Sequence, residues 1–331
     1  MWEGLARGAR REIAALATSG LGVAELHAAA IEVVARVVPA ELTCWASLDP
    51  DTAVISSMTS GAARIPQRYE PLLATFEYDG SERHTFAELA RGPRPLTTLS
   101  ARDRGGRMNE VWRPLGLTSE LRVVFRAGGT CWGAAGLVRR GEFGDREREF
   151  LVSVAPALAT ATRVAARVGG IRGDGAAAIV VVGPDGEPRA ETAPAHAWRA
   201  ELDEIAPGRF AVMLRVVVTG ARSAPGGSFR ARIRDADGGW VLLQADRLIG
   251  GDETVVTIER PTGADLHDLL FAAYGLTARE REICHEVLAG RPSAAIAARL
   301  AITPNTVQDH LKSVFGKVGV RSRGELVARL T

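Results

Sequence analysis

The final 55 residues place helix start and stop signals so close together that they admit little but a bundle of short helices. Thr277 and Glu280 form a T-x-x-E capping box, followed by an apolar stripe of Ile283, Val287 and Leu288 that ends at Gly290. Pro292 and Ser293 open a second short helix, with Ile296, Ala297 and Leu300 on its buried face. Thr303 caps a third helix, with Pro304 in its first turn and Val307, Leu311, Val314 and Phe315 along one side, to about Val318. Gly319 stops it. Ser322 and Glu325 make a second capping box for a last helix that reaches Leu330. Four helices with a tight turn between the second and third predict a helix-turn-helix arrangement.

The charge of this segment differs from that of the rest. Residues 276–331 hold nine basic and five acidic residues, a net +4, which leaves 32 basic against 34 acidic elsewhere. A small basic module on a slightly acidic body points to nucleic acid. Of the 41 basic residues only Lys312 and Lys317 are lysines. The first 311 residues therefore lack the lysine of a phosphate-binding P-loop, that of a phosphoacceptor receiver domain, and any lysine for Schiff-base chemistry.

Leu276–Leu330 closely resembles the LuxR-type helix-turn-helix of bacterial transcription regulators, through the stretches LTAREREI, SAAIAARLAITPNTVQDHLKSVFGKVGV and RSRGELV. The resemblance implies that the third helix enters the major groove of double-stranded DNA. Side chains opposite Val307 and Leu311 then face the duplex. Gln308, Asp309 and Lys312 occupy the base-reading positions, and Thr303, Asn305 and Thr306 lie near phosphates. Lys317, Arg321 and Arg323 add backbone contacts. Many relatives carry a basic residue where Gln308 stands and a neutral one where Asp309 stands, so a borrowed target sequence does not transfer. Asp309 either accepts from a base or caps or pairs with Arg299. The last helix resembles the family's dimerisation helix, which implies a homodimer on an inverted-repeat operator, with RNA polymerase as a further partner.

The remaining chain is long enough for two domains. Helices are expected from Leu5 to Thr18 and from Val23 to Val38, followed by a hairpin around Asp49–Pro50–Asp51. Pro66–Phe76 and Asn109–Leu115 read as helices and Pro95–Leu99 as extended. A second hairpin crosses Gly128–Gly129, and a long helix covers Asp145–Val168. This order resembles a GAF domain, whose antiparallel sheet carries helices on one face and a small-molecule pocket on the other. Trp45, Trp112, Phe125 and Trp132 are candidates to line such a pocket, the alternative being that they are core. Gly169–Gly175 punctuates a boundary. Residues 176–261 then read as strand, turn, strand, helix, an ambiguous Ala206–Arg222, and three antiparallel strands. This resembles a PAS domain, which makes the ambiguous stretch a helix. Asp265–Ala273 is a connecting helix.

The expected architecture is multidomain α+β: a GAF-like domain over 1–168, a PAS-like domain over 169–262, a connecting helix over 263–275 and an all-α four-helix DNA-binding domain over 276–331. No apolar run approaches the roughly 20 residues of a membrane span, and the start of the chain has no signal-peptide core. A cytoplasmic protein is expected. The three cysteines lie far apart without a CxxC pair, so neither a disulfide framework nor a cysteine metal site is expected. Cys44 and Cys131 sit on strands as small hydrophobes, and His84 has no metal partner at suitable spacing. No cofactor, metal or catalytic residue is expected. The reading is of a one-component transcription regulator, its DNA binding modulated by a small ligand or a dimer rearrangement. Its rivals are ligand-free scaffolds that act in dimerisation or partner binding and, more remotely, a GAF-type redox enzyme using Cys44 and Cys131.

Overall fold

The computed structural model describes residues 2–167, 177–205, 207–235 and 237–330. The expected Gly169–Gly175 boundary lies outside them. Contacts divide the chain into two units, Met1–Arg260 and Pro261–Thr331.

The first unit begins with α1 (Trp2–Leu16) and α2 (Val23–Ala35), whose small and branched apolar residues recur every three or four positions. β1 (Leu42–Leu48) and β2 (Ile55–Ser60) form the first hairpin. α3 (Glu70–Tyr78), α4 (Phe86–Arg91) and β3 (Leu96–Leu99) follow. The helix expected over 109–115 is instead a π-helical turn, Arg107–Trp112, closed by a 3-10 turn at Arg113–Leu115. β4 (Ser119–Ala127) and β5 (Thr130–Arg139) make the second hairpin, and α5 (Asp145–Ala165) completes the group. The strands form one antiparallel sheet in the order β2-β1-β5-β4-β3. Trp45, Leu121, Val123, Phe125, Ala135 and Leu137 project from one face into a core shared with α1, α2 and α5.

The opposite face is covered by polar as well as apolar groups. Glu120 and Arg122 alternate with Leu121 and Val123, so they leave β4 on this side. There they join Glu77 of α3, Glu82 and Arg107 in a buried ion network. Arg122 meets Glu77 at 2.6 Å and Glu120 at 3.2 Å, with its guanidinium 3.8 Å above the Phe86 ring. Three carboxyls face two guanidiniums. Burial raises the Glu77 carboxyl to about 7 despite the nearby Arg107, and burial raises Glu120 as well.

A second antiparallel sheet comprises β6 (Ala178–Val182), β7 (Pro188–Glu191), β8 (Ser228–Arg234), β9 (Trp240–Arg247) and β10 (Thr254–Glu259), in the order β7-β6-β10-β9-β8. α6 (Ala193–Ile205) and α7 (Arg209–Ser223) pack on it, burying Trp198, Leu202, Phe210, Leu214 and Val217. The ambiguous stretch is thus helical. Its valines lie one turn or less apart on a buried face, and there packing overrides β propensity. Side chains join the outer strands β2 and β8 of the two sheets. Asp49 accepts from the Arg232 backbone N–H at 2.9 Å, and Ser56 donates to the Arg232 carbonyl at 2.9 Å. Arg209 reaches the carbonyls of both Ser56 and Arg234.

The second unit is all helical: α8 (Gly263–Ala273), α9 (Ala278–Leu288), α10 (Ser293–Arg299), α11 (Pro304–Val318) and α12 (Arg323–Leu330). The α+β reading of the chain, two antiparallel sheets followed by a four-helix module, agrees with this architecture. Phe271 of α8 joins Ile283, Ile296, Val307, Leu311, Val314 and Leu326 in one core.

Candidate nucleic-acid interface

The turn between α10 and α11 determines how the third helix of the module is presented. Ala301 takes a left-handed conformation with φ of 52°, and Ile302 donates back to the Ala297 carbonyl at 3.0 Å. Thr303 then caps α11, its hydroxyl accepting from the Thr306 N–H at 3.1 Å. Val307, Leu311, Val314 and Val318 bury one stripe of α11. Asn305, Gln308, Asp309 and Lys312 are exposed on the other, beside exposed Thr303 and half-buried Thr306.

Within that outer face the side chains hold one another. The Gln308 carboxamide donates to the Ser293 hydroxyl at the start of α10, at 3.1 Å. Sequence reasoning overlooked this serine, which it read only as a helix opener. Asp309 pairs with Lys312 at 3.7 Å. Its other expected partner, Arg299, is held by Glu286 at 3.0 Å.

The remaining expected cations divide. Arg321 projects from the surface, while its backbone N–H donates to Glu325 at 2.9 Å. Lys317 binds Glu280 at 2.6 Å, and Arg323 donates to the carbonyls of Val287 and Arg291 at the end of α9. Both are committed to the module's own architecture. Glu280 is the hub. Its carboxylate also accepts from Ser313 at 2.7 Å and from the Thr277 N–H at 2.7 Å. Burial pushes the Glu280 carboxyl up, but Lys317 and these donors outweigh it and hold the group down at about 2.

The geometry is a capped helix with one face in the core and a polar face outside, preceded by a tight turn from a supporting helix. The family described as bacterial regulatory proteins, luxR family, matches residues 275–330. These residues match the helix-turn-helix domain of that family. The LuxR-type module is 42% identical over 53 residues to the probable transcriptional regulatory protein NarL of Mycobacterium tuberculosis, a match covering 16% of this chain and 24% of that protein. It is 47% identical over 53 residues to the probable transcriptional regulatory protein SgaR of Hyphomicrobium methylovorum, covering 16% and 25%. The chain thus spans about a quarter of the length of these curated relatives. Among solved structures, the phycoerythrobilin-bound GAF domain of a cyanobacterial phytochrome matches 47% of this chain and 95% of that one, at 12% identity and a TM-score of 0.35.

The four aromatic candidates of the body fall in different places. Trp45 and Phe125 meet with ring centroids 5.1 Å apart in the helix-facing core, where His27 approaches Trp45 edge-on. Trp112 packs on the opposite face, where its indole N–H donates to Glu120 at 3.0 Å. Trp132 occupies the β5 bulge and is almost fully buried. Cys44 and Cys131 are free thiols, pushed up by burial to about 12 and about 11. No helix among the described residues is long and apolar enough to cross a membrane.

Proposed function

We propose that the chain is a one-component transcription regulator that binds double-stranded DNA through α11. The observation that carries this reading is the exposed row Asn305, Gln308, Asp309 and Lys312, set opposite the buried Val307 and Leu311 on a capped helix. A major groove about 12 Å wide admits one helix, and every base pair is distinguishable there. Gln308, Asp309 and Lys312 face base edges in this reading. Thr303, Asn305 and Thr306 lie against phosphates, with Arg321 as an outlying backbone contact. Lys317 and Arg323 support the fold first and touch DNA secondarily. The domains are read as 1–168 for the sensor, 169–262 for the middle domain, 263–275 for the connecting helix and 276–331 for the DNA-binding domain.

Two copies joined through α12 would read an inverted repeat, because a palindrome is recognised only at a fixed half-site spacing. A signal in the body would act by changing that spacing. Such a regulator works in the cytoplasm, where its DNA is. The burial of Trp45, Phe125 and Trp132, and the ion network beside Trp112, favour a second reading of those four residues as core. The suppressed thiolates of Cys44 and Cys131 favour regulation over thiol redox chemistry. The test is selection from random duplexes by the full chain, followed by footprinting and sedimentation. An enriched inverted repeat protected by a dimer is expected. Binding without sequence preference, or a single protected half-site with a monomer, would sink the reading.

A further inference from the structure

The loop between β3 and the π-helical turn carries the sequence SARDRGGR, and its charges are sorted by position. Asp103 turns its carboxylate inward, accepting from the Ser100 N–H at 2.7 Å and the Ser100 hydroxyl at 3.2 Å. Arg102 and Arg104 on either side are exposed, and their guanidiniums make no hydrogen bond or ion pair among the described residues. Arg113 is tied down. It donates to the carbonyls of Ala101 and Asp103 and to the Asn109 side-chain oxygen, while Asn109 donates to the Arg104 carbonyl at 2.8 Å. Together Ala101, Arg102, Arg104, Asn109 and Arg113 line a cleft of about 520 Å³, with three arginines and no acidic residue among them.

The backbone beneath this cleft is tightly seated. A Cβ on Gly105 would lie 2.5 Å from a Glu82 oxygen, and one on Gly106 would lie 2.4 Å from the Phe76 ring. Arg107, the next residue, enters the buried ion network. The loop is therefore pressed onto a packed floor. A guanidinium presents a planar fork of donors that matches an oxyanion bidentately. Three such groups around one cleft repel one another until an anion joins them.

We propose that this cleft is an anion site that takes a small molecule bearing a phosphate group, gripped by Arg102 and Arg104 against the wall formed by Arg113. The volume falls in the roughly 300–1,000 Å³ range of small-ligand sites, so the phosphate has room for an organic part. The proposal stands apart from the DNA reading, since it uses only the first unit.

The test is calorimetric titration of the full chain with inorganic phosphate and pyrophosphate, with ionic strength held constant by sodium chloride. Saturable binding is expected, tighter for pyrophosphate. The double variant Arg102→Ala, Arg104→Ala should weaken it at least tenfold, while Arg146→Ala, at an exposed arginine elsewhere, should leave it unchanged. Arg102→Lys, which keeps the charge and loses the fork, should fall between. Thermal melts without anion should coincide for all variants, since the substituted side chains are exposed. The proposal is overturned by absence of saturation, by equal weakening in Arg146→Ala, or by succinate binding as well as phosphate. It is also overturned if only duplex DNA affinity responds to the double variant.

Discussion

At the scale of single residues, Gln308 and Ser293 act as a pair. With the Ser293 hydroxyl accepting one N–H of the Gln308 carboxamide, the carboxamide oxygen is left to accept and a second N–H to donate. That is the pattern that meets adenine in the major groove. Gln308→Ala should cost about 1–3 kcal/mol on the best operator and relax preference at one base position. Ser293→Ala should relax the same position with a smaller loss, and the double variant should be no worse than Gln308→Ala alone. Operator titrations with each base substituted in turn check this, and preferences relaxed at two different positions would refute the pairing. Lys317 behaves otherwise. Because it neutralises buried Glu280, Lys317→Ala should destabilise the second unit by about 1–3 kcal/mol. Native-state hydrogen exchange of 276–330 in the full chain reports that loss, and unchanged exchange with a flatter salt dependence of DNA binding would argue for a phosphate contact instead.

Acid should act on the two units through different groups. Glu280 is held at about 2 when folded against 4.5 as a free side chain. The unfolded state takes up its proton first, so the stability this group contributes is full above about pH 4.5 and is lost as pH falls toward 2. His27 is buried against Thr162, its imidazole pushed down by burial from 6.5 to about 4. Its contribution is full above pH 6.5 and is lost earlier, between 6.5 and 4. In the same unit Glu77, raised to about 7, and Glu120, also raised, take up protons when folded before they do when unfolded, and so add stability as pH falls, which offsets the His27 loss. The His27 share is therefore read as a difference. Hydrogen exchange of the first unit should show the native chain losing stability relative to His27→Gln between pH 6.5 and 4, and parallel pH profiles would contradict the assignment.

At the scale of elements, the turn before α11 holds a residue with a poor fit. A left-handed conformation costs a Cβ-bearing residue about 1–2 kcal/mol, and glycine removes that cost while giving back about 0.4–1 kcal/mol of unfolded-chain entropy. Ala301→Gly should thus raise the stability of the second unit by roughly 0.5–1 kcal/mol. Denaturant melts monitored by exchange of α10 and α11 check it, and a net loss would mean that the Ala301 methyl contributes packing that outweighs the strain.

The second unit could be read from sequence because its signals are local: capping boxes at Thr277 and Ser322, proline at 304, left-handed Gly290 and Gly319. The body's hairpins were legible from alternation and turn residues. α4 was not, because a six-residue helix carries too little periodicity to stand out, and the helical stretch at 107–115 was read as an ordinary helix starting two residues late. The role of Glu77, Glu120 and Arg122 was hidden for a different reason. On a strand, alternating charge signals a solvated face, and only the partners brought in by α3 and the 100–113 loop make that face interior. Lys317 and Arg323 drew attention as basic residues near a predicted DNA helix, while their internal partners lie 37 and more than 30 residues away in sequence.

At the scale of the whole molecule, the seam between β2 and β8 limits how the body can be taken apart. Each sheet has an outer strand there whose backbone groups are occupied by side chains of the other: Asp49 and Ser56 on Arg232, Arg209 on Ser56. An outer strand stripped of such cover is a template for pairing with another chain. A gene fragment ending at residue 167 would lay β2 bare, along with the Asp49 carboxylate that Arg232 neutralises. Residues 1–167 alone should therefore clump at concentrations where residues 1–260 stay dispersed, as light scattering would report, and a monodisperse shorter fragment would contradict this. Cuts drawn at the sequence boundary between the two sheets would divide a surface that neither half can hide by itself, so the piece of this protein that will behave in a test tube is the one that keeps both sheets.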